Sequence, residues 1–130
     1  MIVGIGVDIV EVSRIEGLLS RFGERFLARV FTESEERYAS RSVKRAERLA
    51  GRFAVKEAVL KALGTGKSQG ILWRDVETLP GLMGRPSVQL HGAARGWMDR
   101  MGGRGIHVTI SHDGGRAVAF VIIEGAEDGA

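Results

Sequence analysis

The chain contains no cysteine. Disulfides, thiolate zinc sites and a cysteine nucleophile are therefore excluded, and any metal would rest on carboxylates or on the three histidines. Aromatic residues are also sparse. Five Phe, two Trp and one Tyr offer little for stacking on bases, and no recognisable nucleic-acid motif accompanies them, so a noncatalytic RNA- or DNA-binding module is disfavoured. Long apolar runs are missing as well. No stretch approaches the ~20 residues of a membrane span, and the first residues lack the basic region and cleavage site of a signal peptide, which predicts a soluble, cytoplasmic protein without a membrane partner.

What is present fits one domain, 1–130, in a chain of 130 residues, 44% hydrophobic and 27% charged. The net charge of +3 hides an asymmetry: from Arg14 to Lys56 there are eleven Lys or Arg against six Asp or Glu. A basic half of this kind suits an anionic partner, whether nucleic acid, a phosphorylated small molecule or an acidic protein, and suits a solubilising surface equally.

Periodicity predicts an α+β arrangement, with helices packed on a largely antiparallel sheet. "MIVGIGVDIVEV" reads as a strand, and "VSRIEGLLSRFG" as a helix closed by Gly23. "ERFLARVF" continues as a short helix. "TESE" carries a capping box, Thr32 with Glu35 three residues on. A long helix is predicted from about Val43 to Leu63, stopped by Gly64. "ILWRDVETL" reads as extended, "PGLMGRP" as turns, "SVQLH" as a strand and "GAARGWMDRMGG" as a short helix. "IHVTISHDGGRAVAFVIIE" reads as a hairpin with His112 and Asp113 at its turn, and "GAEDGA" as a frayed tail.

Two places carry chemistry against the pattern. Asp8 interrupts an apolar strand and shares its face with Gly4 and Gly6, which either leave room for a ligand or admit a closely packed helix. "FAVKEAVLKALG" is apolar on nearly every side apart from Lys56, Glu57 and Lys61, so these charges must be paired, metal-bound or lining a cleft. Glu57 and Lys61 stand four residues apart and suit an intrahelical ion pair. Asp8 and Glu57 together suit Mg²⁺, which takes one or two carboxylates and completes its octahedron with waters and phosphates. Other matches fail. "GTGKS" lacks the first glycine of a phosphate-binding loop, since that place is Lys61, and "GIGVDI" lacks the third glycine of a dinucleotide fingerprint. His107 on a polar strand face suits either packing or a phosphate contact.

"GIGVDIVEVSRIE", "LAGRFAVKEAVLKALGTG", "GRP" and "HVTISHD" occur in that order, and with them the chain resembles the holo-[acyl-carrier-protein] synthase family, the short bacterial phosphopantetheinyl transferases. The resemblance implies Mg²⁺-dependent transfer of phosphopantetheine from coenzyme A to a serine of apo-acyl carrier protein, releasing adenosine 3′,5′-bisphosphate, in fatty acid biosynthesis. It implies Asp8 and Glu57 as Mg²⁺ ligands and Lys61 as the phosphate-stabilising cation. Arg52, Lys56, Gly64, Thr65, Gly66, Pro86, His107 and Ser111 would shape the coenzyme site. Arg14, with Arg21 and Arg25 as extensions, would contact the carrier protein. The family also implies a homotrimer with active sites between subunits, the His107 hairpin serving a neighbour.

Overall fold

Ten residues of alternating strand formers make β1 (Ile2–Glu11) in a computed structural model that describes residues 1–127. β1 pairs antiparallel with β5 (Arg116–Gly125), and β5 pairs on its other edge with β4 (Gly103–Asp113), giving a three-stranded sheet of order β1-β5-β4. Gly114 and Gly115 join β4 to β5 with φ of 57° and 76°, the tight hairpin turn that only glycine adopts without strain at both positions. β4 thus runs through His112 and Asp113, which belong to the strand and not to the turn. A second antiparallel ribbon pairs β2 (Val76–Leu79) with β3 (Ser87–Leu90).

The helices follow their start and stop signals. α1 (Val12–Phe22) leaves β1 directly and stops at Gly23, after which α2 (Glu24–Val30) begins. α3 (Glu33–Ser40) opens with the capping box: Thr32 Oγ1 accepts from the Glu35 amide at 3.3 Å, and Glu35 Oε1 accepts from the Thr32 amide at 3.0 Å. α4 (Arg45–Leu63) ends at left-handed Gly64, and α5 (Gly92–Arg100) lies between β3 and β4. One stretch departs from its pattern. Trp73–Asp75 forms a 3₁₀ turn where an extended segment is expected, because the Asp75 carboxylate accepts the Leu72 amide at 3.0 Å and turns the chain before β2 starts. Of the expected tail, Gly125 closes β5 and donates to Met1 O at 2.8 Å, while 128–130 lie outside the described residues.

α4 is buried along most of its length against the inner face of the sheet, formed by Val10, Ala117, Ala119, Val121 and Ile123. Small residues set that distance. A Cβ on Gly6 would overlap the Ala58 carbonyl, and one on Gly4 the Ala62 carbonyl. The glycines beside Asp8 therefore admit the helix backbone and do not clear space for a ligand. Gly6→Ala should accordingly destabilise by about 1–3 kcal/mol through overpacking. Urea denaturation would measure this, with Gly17→Ala, whose new methyl meets open space, expected to equal or exceed the parent stability.

The outer face of the same sheet is apolar and uncovered. Ile5 and Ile9 are each 58% exposed, and Val7 and Phe120 are exposed beside them. Cross-strand pairing places Ile5 opposite Ile122 and Val7 opposite Phe120, so these side chains form one continuous patch.

Candidate active site

Packing of α4 on β1 decides which charges meet. Asp8 projects from the inner face of β1 toward α4, and Glu57 projects from α4 toward β1 and α1. Lys61, one turn after Glu57, reaches across the strand: its Nζ donates to Val7 O at 3.0 Å and to Asp8 Oδ1 at 3.2 Å. The expected Glu57–Lys61 pair within the helix is thus replaced by a Lys61–Asp8 pair between elements. Arg14, from the first turn of α1, completes the cluster with its Nη1 3.9 Å from Glu57 Oε1.

Two oxygens in this cluster are buried and have no hydrogen-bond donor, Asp8 Oδ2 and Glu57 Oε1. Burying an acceptor unpaired is costly, so such atoms call for a cation. Burial pushes the Glu57 carboxyl up to about 7; hydrogen bonding to Asp8 and repulsion from it add to the rise, while Arg14 and Lys61 pull the other way. Two carboxyl groups that repel each other in one site are relieved by a cation held between them. Among the described residues no three His, Cys, Asp or Glu side chains converge on one point, which disfavours an all-protein cage of the zinc type. A pair of half-buried carboxylates fits Mg²⁺, whose remaining positions are filled by water and phosphate.

Lys56 goes elsewhere. Successive residues on a helix diverge by ~100°, and while Glu57 turns to β1, Lys56 turns to α3 and β2. Its ammonium is fully buried, donates to Glu35 Oε1 at 2.8 Å and to Trp73 O at 3.1 Å, and also meets Val76 O. All three of its protons are consumed inside the protein, so any part Lys56 has in shaping the coenzyme site is exerted through the fold. Burial lowers its affinity for the proton and Glu35 restores part of it. The Gly64–Thr65–Gly66 loop is likewise committed, since the amides of Thr65 and Gly66 both donate to Leu60 O at 3.2 Å and cap α4.

Arg52 and Pro86 share a cavity of about 210 Å³ with Tyr38, Pro80, Ile110 and His112. The Arg52 guanidinium lies 3.8 Å over the Tyr38 ring, and its buried Nε has no acceptor. Tyr38 and His112 are the residues that sequence reasoning missed here. His112 Nε2 donates to Glu47 O at 3.0 Å and packs on Gly51 of α4, an inward position that its alternation with Ile110 signals once the strand is known to reach Asp113. His107 and Ser111 are on the other side of the sheet. They pair opposite Ile122 and Val118 on the uncovered face, and His107 Nε2 meets Glu124 Oε1 at 2.7 Å. Within one chain, therefore, Asp8, Glu57, Lys61 and Arg14 come together, Arg52 and Pro86 line a separate cavity, and His107 and Ser111 join neither.

Arg21 and Arg25 are exposed on α1 and α2. Arg25 and Arg29 rim an apolar groove of about 310 Å³ floored by Leu18, Phe22, Phe26 and Val30. No helix among the described residues is long and apolar enough to cross a membrane.

This geometry has counterparts. The sequence profile of the 4′-phosphopantetheinyl transferase superfamily matches residues 4–121, and the chain belongs to that superfamily. It is 52% identical over 124 residues to the holo-[acyl-carrier-protein] synthase of Desulfovibrio desulfuricans, covering 95% of this chain and 98% of that one. The synthase structure from Neisseria meningitidis superposes with a TM-score of 0.87 at 34% identity, covering 95% and 99% of the two chains. The Helicobacter pylori synthase, solved in complex with coenzyme A, gives 0.81 at 32% identity, covering 92% and 99%. Within the superfamily the chain is an enzyme of the holo-[acyl-carrier-protein] synthase family, a phosphopantetheinyl transferase.

Proposed function

We propose that the enzyme transfers the phosphopantetheine group of coenzyme A to a serine of apo-acyl carrier protein in a Mg²⁺-dependent reaction that releases adenosine 3′,5′-bisphosphate in the cytoplasm. The observation that carries this is the pair of buried, donor-free oxygens on Asp8 and Glu57 beside the Lys61 ammonium. Asp8 and Glu57 would hold Mg²⁺, which when bound neutralises charge on the diphosphate of the coenzyme. Lys61, anchored on Val7 O but more than half exposed, presents its ammonium at the mouth of the site, where it offsets charge developing on the departing phosphate. The attacking hydroxyl belongs to the carrier, which is consistent with a site that has no nucleophile of its own.

Arg52 and Pro86 fit a role in holding the nucleotide end of the coenzyme, because both line a cavity to which the Arg52 guanidinium brings a positive charge suited to an anion. Gly64, Thr65 and Gly66 close the helix that carries Lys61 and would shape the adjoining wall. Lys56 acts through the fold. Arg25 lines the apolar groove together with Arg29, and Arg14 and Arg21 stand on the helix that contributes Leu18 and Phe22 to it, a combination that suits an acidic amphipathic helix of the carrier protein.

The uncovered sheet face supports assembly into a homotrimer with active sites between subunits. A continuous exposed patch of aliphatic and aromatic side chains suits an interface between copies. His107 and Ser111 lie on it, so in such an assembly they can complete a neighbour's coenzyme site while being remote from their own Asp8 and Glu57.

The test is incubation with apo-acyl carrier protein, coenzyme A and Mg²⁺, followed by mass spectrometry of the carrier. The carrier should gain one phosphopantetheine group, the gain should vanish with a chelator, and light scattering should give three times the chain mass. An unmodified carrier, where a known synthase modifies the same preparation, overturns the assignment.

A further inference from the structure

Arg14 occupies two settings at once. Its guanidinium Cζ lies 5.2 Å over the Phe53 ring and its Nη1 lies 3.9 Å from Glu57 Oε1, one of the two donor-free oxygens on which a cation would sit. Yet the side chain is 56% exposed and stands at the head of the helix whose next turn, Leu18, opens the arginine-rimmed groove. It touches the metal site with one side and solvent with the other. No hydrogen bond ties it to Glu57, and a contact at 3.9 Å is electrostatic and easily exchanged.

A positive charge so close to Glu57 opposes a second one. While Arg14 rests there, it partly compensates the carboxylate and repels an entering divalent cation. An acidic group of the carrier that engages Arg14 from the groove side neutralises that charge or draws it away along the Phe53 ring, and Glu57 Oε1 becomes available. Lys61 does not have this freedom, because Val7 O and Asp8 hold it from within the fold.

Resting on the function proposed above, we infer that Arg14 couples carrier docking to metal binding: free enzyme binds the divalent cation weakly because Arg14 guards Glu57, and the docked acidic carrier releases it. Coupling between two sites is reciprocal, so the bound cation must raise carrier affinity by the same factor. The arrangement favours assembly of the charged site when the acceptor is already in place, which limits unproductive attack by water on the coenzyme.

Mn²⁺ binding followed by electron paramagnetic resonance tests this without turnover, with coenzyme A and a carrier lacking its acceptor serine. For the parent enzyme, saturating carrier should lower the Mn²⁺ dissociation constant on the order of fivefold, an ordinary coupling factor. Arg14→Gln should bind Mn²⁺ more tightly than the parent when no carrier is present, and saturating carrier should then change little. Arg25→Gln, which is not in contact with Glu57, should weaken carrier binding while leaving the parent Mn²⁺ affinity and the coupling factor intact. The inference is overturned if Arg14→Gln shows the parent affinity for Mn²⁺ and the parent response to carrier. Asp8→Asn and Glu57→Gln separate this from the underlying assignment. If both still bind Mn²⁺ as the parent does, the metal site itself is misplaced; if both lose it while Arg14→Gln is unremarkable, only the coupling fails.

Discussion

Asp8→Asn and Glu57→Gln each lower transfer to the carrier protein by on the order of a hundredfold to a thousandfold, the scale set by removing one preorganised charge-stabilising group from an enzyme site. Both substitutions keep the shape of the side chain, so the strand-on-helix packing around them persists and circular dichroism should be unchanged. Glu57→Gln carries a second signature, because its carboxyl is raised from an ordinary 4.5 to about 7, chiefly by burial and then by Asp8. Between those values the folded protein holds a proton that the unfolded chain has released, so without a divalent cation the parent protein loses stability as the pH rises from about 4.5 to about 7. The Gln variant has no such proton. Its melting temperature should be flatter across that window and, at pH 7 and above, equal to or higher than that of the parent. Loss of activity together with retained or improved stability distinguishes a site carboxylate from a structural one, and normal turnover in both variants would remove Asp8 and Glu57 from the metal assignment.

Much of this site was legible in one dimension, and the part that was not has specific physical causes. Asp8 and Glu57 stood out because each breaks an apolar pattern, and a violated pattern is visible without coordinates. Gly4 and Gly6 were ambiguous because glycine signals only that something comes close, and whether that is a ligand or the backbone of α4 depends on the sheet-to-helix distance. Lys56 and Glu57 are chain neighbours with the same burial signal, yet they point to different elements, since helical adjacency separates side chains instead of joining them. The sequence shows Glu35 as the third residue of a capping box, and its burial adds contacts that the box does not predict. One of its oxygens caps Thr32 and also receives Lys56, while the other accepts the Thr78 amide at 2.9 Å, a contact across 43 residues that no local motif contains. In the first strand the aliphatic Ile5, Val7 and Ile9 alternate with Gly4, Gly6 and Asp8, and alternation separates the two faces without showing that the aliphatic one turns outward.

The same Glu35–Lys56 pair carries the largest expected effect on stability. Lys56→Met leaves the Trp73 and Val76 carbonyls without their donor and leaves Glu35 charged and fully buried, and breaking a buried pair by removing one partner costs about 3–5 kcal/mol. Glu35→Gln strands the ammonium instead, although burial already lowers its pKa and allows it to discharge. The double variant Glu35→Gln/Lys56→Met removes both charges, so its loss should be smaller than the sum of the two single losses by about 1–3 kcal/mol, the signature of groups in direct contact. Urea denaturation of the three proteins measures the cycle, and Trp73, whose carbonyl the lysine holds and whose ring lies 5.1 Å from that of Phe53, gives a local fluorescence report. Because the pair ties α3 and the start of β2 to α4 just beside Glu57, activity in Lys56→Met should fall in step with the folded fraction and recover at low temperature. Were Lys56→Met as stable as the parent and deficient only in coenzyme affinity, the structural role would fail and Lys56 would act at the coenzyme site itself.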